Sequence, residues 1–96
     1  MNEIALGRAE QFRSFPAPVT AEQHDYFLLK QDDAYVLVSR RCPHMGYPVE
    51  AEADQLVCHL HGWTFDSRTG ACLELPNECL RAYPVVVRDG VLTVSL

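Results

Sequence analysis

Long apolar runs are missing from this chain. None approaches the ~20 residues a membrane-crossing helix requires, so no bilayer span is expected. Nor does Met1-Asn2-Glu3-Ile4-Ala5-Leu6-Gly7-Arg8 hold a basic stretch leading into an apolar one, so no export leader is expected and a cytoplasmic location is. Positive charge is scarce: eight lysines and arginines stand against thirteen acidic residues, a net charge of −5. That balance argues against a partner bound through its phosphate backbone. There is no internal repeat, no low-complexity tract and no sustained helical period. What remains is a 96-residue chain, 48% hydrophobic and 22% charged, the size and balance of one globular domain. Without an export signal, its four cysteines are read as metal ligands, reactive groups or buried apolar residues before disulfides.

Short apolar runs separated by turn signals predict an all-β chain. Asn2 to Leu6 reads as a first strand, and the two prolines of Phe12 to Pro18 mark a turn. Tyr26 to Leu29 and Ala34 to Ser39 bracket Asp32-Asp33 as a hairpin, and Trp63 to Phe65 and Ala71 to Leu73 bracket the turn at 66–70. The strongest hairpin is the last, where Asp89-Gly90 joins Val85-Val86-Val87 to Val91–Leu96 and suits a type I′ turn. One helical turn at most is expected, near Ala21 to Asp25. The expected fold is a small antiparallel sandwich or barrel of short strands.

Two segments carry chemistry: Cys42-Pro43-His44-Met45-Gly46 and Cys58-His59-Leu60-His61-Gly62. Each places an imidazole two or three positions after a thiol and ends in glycine, which lets the backbone turn sharply around a buried object. Two such loops on adjacent hairpins supply four donors to one centre. Zinc also accepts two cysteines and two histidines, although finger-like zinc sites pair like donors in each half and this chain mixes them.

These two segments, with Trp63-Thr64-Phe65-Asp66 and Arg68-Thr69-Gly70 after them, resemble the Rieske family of iron–sulfur proteins. Tyr83-Pro84-Val85 and the closing Asp89-Gly90 hairpin fit as well, so the resemblance covers nearly the whole chain. The thirteen residues between His44 and Cys58 make a shorter gap than the family usually has. The resemblance implies one domain over 1–96 with a cluster-binding part at about 41–66, and one [2Fe–2S] cluster per chain. Cys42 and Cys58 would bind one iron, and His44 and His61 the other. Two histidines in place of two cysteines make the oxidised centre neutral and raise its potential above that of an all-cysteine cluster.

The other candidates are read more plainly. Cys72 and Cys79 have no histidine at a matching offset and are expected to be packing residues. His59 is expected to be exposed or bonded to backbone, and His24 to be a solvated turn residue. Met45 and Tyr47 would shield the centre, while Trp63 and Phe65 would form a core wall under the second loop. Glu50, Glu52 and Asp54 are expected to make a solvated face, or to steer a basic partner. The leading function is a soluble, monomeric ferredoxin that passes single electrons from a reductase to a terminal oxygenase and is not an enzyme alone. An oxygenase would need a second iron on two histidines and a carboxylate. The alternatives are a small subunit of a larger redox complex such as a nitrite reductase, and a zinc-stabilised interaction module without redox activity. Neither a nucleic acid nor a membrane is expected as partner.

Overall fold

The computed structural model describes residues 3–42, 47–52, 55–60, 62–74 and 78–96. Among them are nine strands: β1 (Glu3–Arg8), β2 (Ala17–Ala21), β3 (His24–Gln31), β4 (Ala34–Ser39), β5 (Glu50–Glu52), β6 (Gln55–Cys58), β7 (Trp63–Asp66), β8 (Ala82–Arg88) and β9 (Val91–Ser95). The helical content of the described residues is one 3₁₀ turn at Ala9–Gln11. All strand pairs are antiparallel, and they form a six-stranded sheet ordered β1-β9-β8-β4-β3-β2 and a three-stranded sheet ordered β5-β6-β7. The larger sheet curls until its edge strands β1 and β2 approach each other.

The apolar runs of β3 and β4 explain how the two sheets are joined. Tyr26, Phe27, Leu28 and Leu29 are all buried, as are Leu37 and Val38. A strand half-exposed to water would alternate apolar with polar residues; a continuous run means that both faces are covered. Tyr26, Leu28 and Leu37 point into the barrel, with Leu92 and Val94. Phe27, Leu29 and Val38 point the other way, into a second core with Val49, Leu56, Phe65, Leu80, Cys42, Cys58 and Cys72. The small sheet is therefore mounted on the outside of β3 and β4. Gly70, after β7, passes close over β4: it has φ +80°, and a Cβ there would lie 3.2 Å from Val38 Cγ1.

Turn chemistry follows the sequence at both Asp32-Asp33 and Asp89-Gly90, with Asp89 at φ 52° and Gly90 at φ 79° as a type I′ turn requires. Of the one helical turn at most expected near Ala21–Asp25, none forms. Instead Ala21 pairs with His24 and the chain reverses at Glu22-Gln23, with φ 51° and 66°. Neither residue favours positive φ, so the local signal for this hairpin is weak. The turn expected over Phe12 to Pro18 is also shorter, since β2 begins at Ala17. Pro18 is accommodated because β2 is an edge strand. Of the first strand as expected, Asn2 lies outside the described residues.

Candidate metal centre

The two cysteines of the paired motifs sit at the bases of two loops, each closed by backbone hydrogen bonds. In the first loop, the Val49 N–H donates to the Arg40 carbonyl at 2.7 Å and the Cys42 N–H to the Tyr47 carbonyl at 2.8 Å, with Arg41 and Pro48 bridged between them. In the second, Cys58 ends β6 opposite Trp63 of β7, and the Gly62 N–H donates to the Cys58 carbonyl at 2.8 Å. Both side chains are buried and belong to the same core cluster, beside Val49, Leu56 and Phe65. The four thiols form no disulfide with one another. Two buried thiols carried by two loops into one apolar cluster fit the thiolate half of a metal centre. His44 and His61, expected as its imidazole half, lie outside the described residues, as do Met45 and Asp54.

Phe65 is buried and Trp63 is half-buried against the same core, as a wall under the second loop should be. Tyr47 is 44% exposed. Cys72 is buried, packed in this core on the face of the β7 edge that carries Phe65, with which it is bridged. Cys79 is exposed, which corrects its reading as a packing residue. It is bridged to Ala71, the residue before buried Cys72, and alternation along the strand directs its side chain away from the core.

Several charged groups do more than solvate the surface. The Arg40 guanidinium is 4.6 Å from the Phe27 ring centre, donates from Nε to the Val49 carbonyl at 3.2 Å, and lies 3.2 Å from Glu50 Oε1. It thus joins β3, the far stem of the first loop and the start of β5. His59, beside Cys58 in the second loop, is exposed but pairs with the Glu52 carboxylate on β5 rather than with backbone. Glu74 Oε1 and Oε2 accept hydrogen bonds from the Thr64 backbone N–H at 2.8 Å and the Thr64 hydroxyl at 2.7 Å. These bonds, the backbone one first, hold its carboxyl below the usual carboxylate range. Arg40 and Glu74 carry no motif signal, because their partners are set by how the sheets pack.

Comparison with known proteins places this geometry. The model of the Rieske [2Fe-2S] domain matches residues 2–84. The chain is 28% identical over its full length to the ferredoxin subunit of 3-phenylpropionate/cinnamic acid dioxygenase from Photorhabdus laumondii, spanning 96% of that protein. It is 34% identical, over 90% of its length, to the oxygenase subunit of 5,5'-dehydrodivanillate O-demethylase from Sphingobium sp., but spans only 24% of that relative. In fold it is similar to part of the terminal oxygenase of carbazole 1,9a-dioxygenase from Novosphingobium sp. KA1, with a TM-score of 0.70 at 22% identity, over 98% of this chain and 29% of that one. With two braced loops and two buried cysteines at the motif positions, and a family match over most of its length, the chain belongs to the Rieske [2Fe-2S] domain family, which implies a [2Fe–2S] cluster as its cofactor.

Proposed function

We propose that the chain is a one-electron carrier that takes electrons from a reductase and delivers them to a terminal oxygenase. Residues 1–96 form one domain, its cluster-binding part about 41–66, holding one cluster. Cys42 and Cys58 bind one iron and His44 and His61 the other. When bound, the cluster supplies a one-electron redox couple. The chain's own residues fix the two loops, bury the thiolates among Val49, Leu56 and Phe65, and exclude water from that side. The observation that carries this reading is the joint burial of Cys42 and Cys58 in one core cluster, each at the base of a braced loop.

The match to nearly the whole of a ferredoxin subunit supports a carrier that is not catalytic by itself. A reducing cytoplasm is consistent with four thiols that form no disulfide with one another. The net charge of −5 disfavours nucleic acid and anionic membrane surfaces. The carrier acts as a monomer, exchanging partners through the loop end.

Anaerobic reconstitution with iron and sulfide tests the assignment. Two irons per chain and visible absorbance are expected, both lost in Cys42→Ser and in Cys58→Ser and kept in Cys72→Ser and Cys79→Ser. A colourless protein that takes up zinc instead, or iron that vanishes on replacing Cys72, would overturn it.

A further inference from the structure

Beside the first loop, a two-lobed groove runs across the end of the larger sheet. One lobe, of about 530 Å³, lies between the β2–β3 turn and the loop stem, with Arg40, Arg41 and Pro48 along one side. The other, of about 230 Å³, is lined by Ser39, Arg41, Arg81 and Tyr83. His24, Asp25 and Arg41 border both.

The charge here runs against that of the chain. Three of its eight basic residues border the groove, against two carboxylates, Asp25 and Glu50, in a chain of net charge −5. Both carboxylates are engaged: Glu50 pairs with Arg40, and Asp25 Oδ1 accepts from the Thr20 hydroxyl at 3.1 Å. Arg41 and Arg81 are exposed, and among the described residues neither forms an ion pair. Arg41 and Arg81 line the smaller lobe together with Ser39 and Tyr83, a donor set suited to a carboxylate, which accepts two parallel N–H bonds from an arginine. Arg41 directly precedes Cys42, so an acid seated here lies at the stem of the first loop.

We propose that this groove docks a side-chain carboxylate from an acidic segment of a protein redox partner, and so orients the first loop toward it. The proposal rests on the electron-carrier reading above. It also refines the expectation that Glu50, Glu52 and Asp54 steer a basic partner: that partner is acidic where it meets Arg41 and Arg81. An oriented pair of opposite charges fixes register in a transient complex better than net attraction does.

Voltammetry of the cluster-loaded protein on gold coated with carboxylate-terminated or amine-terminated monolayers tests this. At low ionic strength the wild type is expected to give a redox current on the carboxylate surface despite its net negative charge. Arg41→Gln/Arg81→Gln should lose that current about tenfold, keeping its visible absorbance and its current on the amine surface. Lys30→Gln should retain both currents. Raising salt from 0.01 to 0.15 M, which shortens the screening length from about 30 to about 8 Å, should abolish the wild-type advantage. No wild-type current on the carboxylate surface, or a double variant that matches the wild type there, would overturn the groove while leaving the carrier intact. No current on either surface from a colourless protein would take down both.

Discussion

Arg40 is the residue whose loss should be felt most widely around the first loop. Its guanidinium is 4.6 Å from the Phe27 ring centre, and its side chain is only 23% exposed while Glu50 is 52% exposed. A partly desolvated cation over an aromatic ring contributes about 0.5–2 kcal/mol. The hydrogen bond from Nε to the Val49 carbonyl, with a charged donor, adds about 1.5 kcal/mol. The ion pair, with Glu50 more than half in water, is discounted to about 0.2–1 kcal/mol. These three share one side chain and do not add fully, so Arg40→Ala should cost about 2–3 kcal/mol. At roughly 4–8 °C per kcal/mol for a domain of this size, the melting temperature should fall by about 10–20 °C. Arg40→Lys keeps the charge but lacks the planar fork that reaches carbonyl, carboxylate and ring together, and should recover about half the loss. Glu50→Gln should cost under about 1 kcal/mol. Circular-dichroism melts of the three variants, with decay of visible absorbance to follow iron release, give the order. If Glu50→Gln matched Arg40→Ala, the ion pair alone would carry the effect. A loss below about 0.5 kcal/mol for Arg40→Ala, the usual range of a surface change, would refute the clamp altogether.

Three further outcomes are expected. The reduction potential should fall near the low end of the roughly −150 to +300 mV Rieske range, because Trp63 and Phe65 bring no hydroxyl to the second loop where hydrogen bonds to sulfur would raise it; voltammetry giving a value well above zero at neutral pH would exclude this. Glu74 ionises more readily in the folded chain, so its contribution is present above its unfolded pKa of about 4.5 and is lost as pH falls through the lower folded value. Acid unfolding of Glu74→Gln should therefore lack part of the wild-type pH dependence in that window, and identical profiles would show that the Thr64 contacts are inconsequential. Finally, Gln23→Gly relieves a left-handed residue at φ 66° and should stabilise by about 0.5–1 kcal/mol, read as a rise in melting temperature.

The sequence was legible where local chemistry decides structure. Asp89-Gly90 announced its hairpin, Tyr26–Leu29 and Ala34–Ser39 announced theirs around Asp32-Asp33, and the two Cys/His segments pointed to the loops that carry Cys42 and Cys58. It was silent where distant packing decides. Glu22-Gln23 is forced into positive φ by the pairing of β2 with β3, which no local preference reveals. Cys72 and Cys79 look alike in sequence, and only the bridge at Ala71 separates a buried thiol from an exposed one. Arg40 reads as one of two consecutive surface arginines until Phe27 and Glu50 are brought to it from either side.

The double burial of β3 has a consequence for how its register is kept. In a strand with one wet face, slipping by a single residue exchanges polar for apolar positions, and water punishes the error. In β3, Phe27 and Leu29 face one core while Tyr26 and Leu28 face the other, so a slip would keep three apolar side chains buried and carry Asp25 or Lys30 into the fourth position. Polarity therefore guards only the two ends of the run, where Asp25 and Lys30 resist burial, and the rest of the task falls to shape and to the turns. Two-residue reversals at Glu22-Gln23 and Asp32-Asp33 hold it from both ends. Adding one residue to either turn would push every side chain of β3 toward the wrong core, and the fault would reach the loop carrying Cys42 through Phe27 and Arg40.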